Sequence, residues 1–184
     1  NVADYLEGIL KKDAWAVERL KQTEVGDQIV ARQESSGNIS TLILCHFDTV
    51  WELGTLEQMP LREENDKLFG PGVLDMKAGI TTAIHALRII KKNKLSLKGP
   101  VTLLLTSDEE TGSEHSEKVI ESQAKRHDRV LVMEPSRDDG ALKVGRKGIG
   151  GFEVIFKGIS AHAGNNPKDG SSAIREMANF LFFL

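Results

Sequence analysis

The sequence holds one cysteine, Cys45, so no disulfide can form within the chain and a reducing compartment is the simplest fit. It has no apolar run near the roughly 18 residues that a membrane-spanning helix needs. It also lacks an excess of basic residues: 24 Lys and Arg stand against 27 Asp and Glu, a net charge of −3. That balance gives no electrostatic footprint for nucleic acid. Neither nucleic acid nor membrane is expected as a partner, and a cytoplasmic location is favoured. No secretory signal pattern opens the chain, and Asn1 in place of Met suggests that a short leader was removed. What remains is a 184-residue chain, 40% hydrophobic and 28% charged, long enough for one good core and part of a second domain.

Apolar positions Val2, Leu6, Ile9 and Leu10 recur at helical spacing within residues 2–20, with Trp15, Val17 and Leu20 beyond them. Two strands are read at Gln28–Gln33 and Ile39–His46, separated by the turn-forming ESSGN. A second turn-rich region contains Asn65–Lys67 and FGPG, 69–72, and leads into a helix over Ala78–Ile90 closed by Lys91, Lys92 and Lys94. Gly99-Pro100 precedes the strand Val101–Thr106; a solvated helix over Glu114–Lys125 and a short strand at Arg129–Met133 follow. Strands alternating with helices predict an α/β fold with a mixed, largely parallel sheet and helices on both faces.

Three of these strands share one feature. Ile39–Cys45 runs into His46-Phe47-Asp48, Val101–Thr106 into Asp108-Glu109-Glu110, and Arg129–Met133 into Glu134-Pro135. Functional crevices in open α/β sheets lie outside the carboxyl ends of the strands. If the three strands are parallel neighbours, His46, Glu109, Glu110 and Glu134 converge. The run of three carboxylates needs a reason of its own, because two like charges at about 4 Å repel by about 1 kcal/mol in water and about 4 at an effective dielectric of 20. Either water solvates them at a helix start or a cation holds them together.

Each candidate also has a plainer reading. Asp48 can close an Asx-turn towards Val50, or it can fix the tautomer of a metal-binding His46. Asp75, in GPGVLDMKAG, can cap the helix that follows, or it can bridge two ions. Glu109 and Glu110 can form an acidic helix start; in a metal site Glu110 binds the cation and Glu109 moves the proton. Glu134, held extended by Pro135, is either a solvated strand end or a ligand. His85, His115 and His127 fall in or near helices and receive no role.

The stretches HFDTV (46–50), FGPGVLDMKAG (69–79), TSDEETGS (106–113), MEPS (133–136), GRKG (145–148) and SAHAG (160–164), in this order, resemble the co-catalytic zinc metallopeptidase and deacylase family. That family includes glutamate carboxypeptidase, acetylornithine deacetylase, succinyl-diaminopimelate desuccinylase and aminoacylase, and the glutamate carboxypeptidases are most alike. The resemblance implies that His46, Asp75 and Glu134 hold one zinc, with Asp75 bridging to a second also held by Glu110; cobalt can substitute. It implies Glu109 as general base, Asp48 as the partner of His46, and a cis peptide at Asp75-Met76. His162 matches a lid histidine that reaches the active site of the other subunit in dimeric members and stabilises the oxyanion.

The implied activity is hydrolysis of an amide, releasing an amino acid from a small peptide or an N-acyl amino acid. The full-length enzyme is expected to be a homodimer. Alternatives are an N-acyl-amino-acid deacylase such as an acetylornithine deacetylase-like enzyme, or a non-catalytic domain that retains the fold. A catalytic domain is expected over 1–147 and the beginning of an α+β lid or dimerisation domain over 148–184, opening with a strand, GFEVIFKG (151–158), and continuing in a helix from about Ser171. The histidine that completes the second zinc site in the family has no counterpart in this chain. The resemblance therefore reads it as an N-terminal fragment that is inactive by itself.

Overall fold

Leu103, Leu104 and Leu105 have no exposed surface, because their strand has neighbours on both edges and helices on both faces. In the computed structural model, which describes residues 1–184, this strand is β6 (Val101–Thr106) of a five-stranded sheet. Its companions are β1 (Ala16–Leu20), β2 (Gln28–Gln33), β3 (Thr41–His46) and β7 (Arg129–Val132), in the order β1-β2-β6-β3-β7. β3 pairs in parallel with both β6 and β7, while β2 is antiparallel to β1 and to β6. Four of the five strands therefore point the same way and only β2 is reversed.

Alternation of side chains across the pleat sorts the core into two layers. Leu103, Leu105, Ile43 and Cys45 face a layer that also contains Leu6 and Leu10 of helix α1 (Val2–Lys12). Ile80, Ala83, Ile84 and Leu87 of helix α3 (Ala78–Lys92) join them, as does Trp15. Leu104, Leu42 and Val30 face the other way, against Val119, Ile120 and Ala124 of helix α4 (Glu117–Ala124). The chain thus crosses from β3 to β6 over one face and from β6 to β7 over the other. Between β3 and α3 lie a one-turn helix, α2 (Thr55–Gln58), and a hairpin of β4 (Arg62–Glu64) and β5 (Lys67–Phe69). Asn65 and Asp66 turn that hairpin with φ of 52° and 59°, the left-handed pair suited to a tight two-residue loop.

Two readings of the sequence are corrected. The helical periodicity at the start ends at Lys12, and residues 16–20 form a strand instead. Arg19 in that strand reaches Asp27 (2.6 Å), Glu7 (3.0 Å) and Asp4, so an ion cluster ties β1 to α1. The short apolar strand read at Arg129–Met133 is present as β7, which sits at the sheet edge with Val130, Leu131 and Val132 all exposed.

The second correction concerns residues 151–158, which form no strand. A strand exists only through a ladder, and the sole bridge nearby joins Ile159 to Ser171. The molecule consists of two compact units, Asn1–Leu142 and Lys143–Leu184. The second contains helix α5 (Ala173–Phe182), whose N-terminus is capped by Ser172 accepting from the Arg175 N–H at 3.2 Å. Phe180 of that helix packs against Phe156 with ring centroids 5.6 Å apart. No helix of the structure is long and apolar enough to cross a membrane.

Candidate metal centre

The register of the parallel strands brings their carboxyl ends level. His46 pairs with Thr106 across β3 and β6, and the ladder runs on as the Phe47 N–H donates to the Thr106 carbonyl (3.0 Å). On the other side the Met133 N–H donates to the Leu44 carbonyl at 3.1 Å, which sets Glu134 beside His46. Asp75 arrives from the loop ahead of α3. The Asp75-Met76 peptide is cis, and Met76 is fully buried with its sulfur accepting from the His46 N–H at 3.0 Å.

Two glycines permit this approach. A Cβ on Gly79 would lie 2.0 Å from the Met133 carbonyl oxygen, so helix α3 can sit this close to the end of β7 only without a side chain there. Gly72 adopts φ +68°, and a Cβ on it would meet Thr49 and the Lys77 ammonium at about 2.5 Å or less.

His46 is the hub. Its Nε2 is 3.2 Å from Asp75 Oδ1, 3.2 Å from Glu134 Oε1 and 4.0 Å from Glu109 Oε2. Its Nδ1 faces Asp48 Oδ1 at 3.3 Å, off good hydrogen-bond alignment, and both buried atoms lack any other partner. Asp48 uses its second oxygen to accept the Glu110 N–H at 3.0 Å. One donor atom from each of His46, Asp75 and Glu134 falls within a span of 4.8 Å. Glu110 stands beside this trio, lining with Asp75, Thr49, Trp51, Gly72 and Leu74 a cavity of about 220 Å³. His162 belongs to the second unit. There its Nδ1 accepts the N–H groups of Gly164 (3.1 Å) and Asn165 (3.0 Å), which leaves the ring proton on Nε2.

The electrostatics show what the cluster is short of. Burial alone would lower the pKa of His46, but contact with Asp48 and the charges of Glu134 and Glu109 outweigh it and raise it to about 9. Burial and the neighbouring Asp75 carboxylate push both Glu110 and Glu134 up, against the opposing pull of His46. Carboxylates here resist ionising together, and a cation relieves that repulsion.

The donor set fits zinc. Ligand atoms about 2.0–2.1 Å from zinc stand about 3.3 Å apart in a tetrahedron, close to the two 3.2 Å separations at Nε2. A proton on Nδ1, towards Asp48, would leave the Nε2 lone pair free for the ion and give the orphaned pair a use.

Two residues near the site carried no role in the sequence reading. Lys77 is half-buried; burial lowers its pKa, while Asp48, Asp75 and Glu110 pull the other way, so it is a cation set among the carboxylates. Asp108 turns inward and is 1% exposed, unlike the two glutamates that follow it. Its place two residues past the fully buried strand β6 is the one signal that sets it apart from them.

An α/β sheet with a histidine-carboxylate cluster at its strand ends defines a candidate metal-binding protein, and the chain belongs to peptidase family M20/M25/M40, whose family model matches residues 42–179. Carboxypeptidase G2 of Pseudomonas sp. (strain RS-16) is 36% identical over 181 residues, covering 97% of this chain and 44% of that protein. Acetylornithine deacetylase of Myxococcus xanthus is 29% identical over 186 residues, covering 97% and 47%. In fold, a tripeptidase of Staphylococcus aureus subsp. aureus mu50 superposes with a TM-score of 0.72 at 18% identity, over 97% of this chain and 49% of its own. The chain spans about half the length of the curated relatives named here.

Proposed function

We propose that the full-length protein is a two-zinc amide hydrolase that releases an amino acid from a small peptide or an N-acyl amino acid. The observation that carries this reading is His46 Nε2 at 3.2 Å from both Asp75 and Glu134, with Glu109 at 4.0 Å. His46, Asp75 and Glu134 would hold one ion, and Asp75 with Glu110 would contribute to a second. When bound, such ions lower the pKa of a coordinated water and polarise the amide carbonyl.

The chain's own residues do the rest. Glu109, 43% exposed and therefore open to solvent and substrate, takes a proton from the attacking water and returns it to the leaving nitrogen. Asp48 keeps the His46 proton on Nδ1, and through the Glu110 N–H it ties the β3 end to the loop after β6. His162, with its proton on Nε2, has the tautomer needed to donate to a developing oxyanion. In this reading residues 148–184 begin a lid and dimerisation domain, and the working enzyme is a homodimer. The lone buried Cys45, whose thiol is pushed up to about 12 by burial and the Glu134 charge, suits a reducing, cytoplasmic setting.

The test is turnover of the zinc- or cobalt-loaded full-length protein on small peptides and N-acyl amino acids. Glu109→Gln should lower kcat by about 10²–10⁴ while bound metal stays constant. Near-normal turnover in that variant removes Glu109 from the chemistry. Metal analysis should give two zinc ions per full-length chain, and one ion would point to a single-metal hydrolase.

A further inference from the structure

Three carboxylates in sequence, Asp108, Glu109 and Glu110, do three different things, and the first does not face the metal centre at all. Asp108 is 1% exposed at the end of β6. Its Oδ2 accepts the N–H of His115 at 2.8 Å and of Ser116 at 3.0 Å. Its main-chain carbonyl accepts the Ser113 N–H at 2.8 Å and the Thr111 hydroxyl at 3.1 Å. The segment from Glu109 to His115 is therefore folded back onto one residue. It turns through Gly112 at φ +101° and Ser113 at φ +60°. The other fastening of this loop is the Glu110 N–H on Asp48. Between the two fastenings the loop sends out the carboxylates of Glu109 and Glu110.

We propose that Asp108 is a positioning residue: its buried carboxylate, acting as an acceptor for two main-chain N–H groups, sets the loop that aims Glu109 and Glu110 at the metal centre. This rests on the reading that Glu109 and Glu110 serve a hydrolytic site. A loop held only by its own turns would leave those two side chains to find the site by chance, and a misplacement of about 1 Å costs a catalytic group about 100-fold. The proposal assigns the effect to hydrogen-bond acceptance rather than to charge. Asparagine, whose side-chain oxygen can take the same two N–H groups, should therefore replace Asp108, and alanine should not.

The experiment compares Asp108→Asn, Asp108→Ala and Glu109→Gln in the full-length, zinc-loaded protein, with folding followed by circular dichroism and thermal melting. Asp108→Ala should fold, lose about 100-fold in kcat and keep KM within about threefold, because the loop serves the reaction more than ground-state binding. Asp108→Asn should restore kcat to within about threefold of wild type. A folded Asp108→Ala with wild-type kcat overturns the proposal. So does a folded Asp108→Asn as slow as the alanine variant.

If Asp108→Ala does not fold, Asp108→Asn carries the test against wild type: kcat within about threefold supports the proposal, and a folded Asp108→Asn about 100-fold slower overturns it. Glu109→Gln keeps the two ideas apart. If the wild-type protein turns over neither small peptides nor N-acyl amino acids, the hydrolase reading fails; if Glu109→Gln retains turnover, only its role as base fails; if Glu109→Gln is dead while Asp108→Ala is fully active, only the positioning role fails.

Discussion

Helices α3 and α5 carry comparable apolar stripes but have opposite fates. α3 buries Ile80, Ala83, Ile84 and Leu87 against the sheet. α5, with Ile174, Met177, Phe180 and Leu181, buries none of its residues, and nothing in Lys143–Leu184 is fully buried. Both follow from ordinary helix rules: periodic apolar residues, and for α5 a serine cap. The difference shows that periodicity and capping specify an element, whereas burial depends on what lies beside it. The first unit supplies a two-layered core, and its polar end can therefore hold a demanding cluster of charges in place.

The largest effect expected from this contrast is in the sheet. Leu104→Ala should destabilise the first unit by about 2–5 kcal/mol in denaturant unfolding, since the side chain is wholly enclosed. Phe182→Ala, at an 87% exposed position in α5, should stay within about 0.5 kcal/mol. Equal losses would mean that the two units do not differ as described.

Next comes Gly79→Ala. Its Cβ would collide with the Met133 carbonyl, so α3 and the end of β7 must part, at a cost of about 1–3 kcal/mol. Because the same movement separates Asp75 from Glu134, zinc affinity by calorimetry should fall by more than the stability loss explains. Unchanged affinity would show that the metal centre does not depend on that approach.

The smallest effect lies at the surface of the first unit. Asp27 is held down to about 2 by the Lys21 ammonium, the Gln22 N–H and Arg19, against burial that raises it. A carboxylate with a depressed folded pKa contributes stability that is complete above its unfolded value near 3.8 and disappears as pH falls through about 2. Arg19→Met should therefore narrow the stability gap between pH 5 and pH 2. A pH dependence identical to wild type would count against the ion cluster.

Much of this was legible in the residues. The apolar runs ending in His46 and Glu109-Glu110 mark strand ends because a parallel strand buried on both faces must be apolar along its length and can place polar groups only where it stops, whereas the run ending in Glu134 is an exposed edge strand. α3 was legible from its periodicity and the closing lysines. β1 was not: five residues containing Glu18 and Arg19 continue a helical pattern until the partner strand is known. Residues 151–158 failed in the opposite sense, since their strand-like composition finds no ladder. Asp108 was hidden by its neighbours. A row of like charges does not reveal that one of them points into the protein, because that depends on N–H groups seven and eight residues further on.

The molecule has two tryptophans, and they report on different events. Trp15 lies in the core, 7% exposed, whereas Trp51 is 46% exposed on the rim of the cavity beside Asp75 and Glu110. Replacing either with phenylalanine leaves a single tryptophan, so unfolding and occupancy of that cavity become separately visible in one cuvette without any added label.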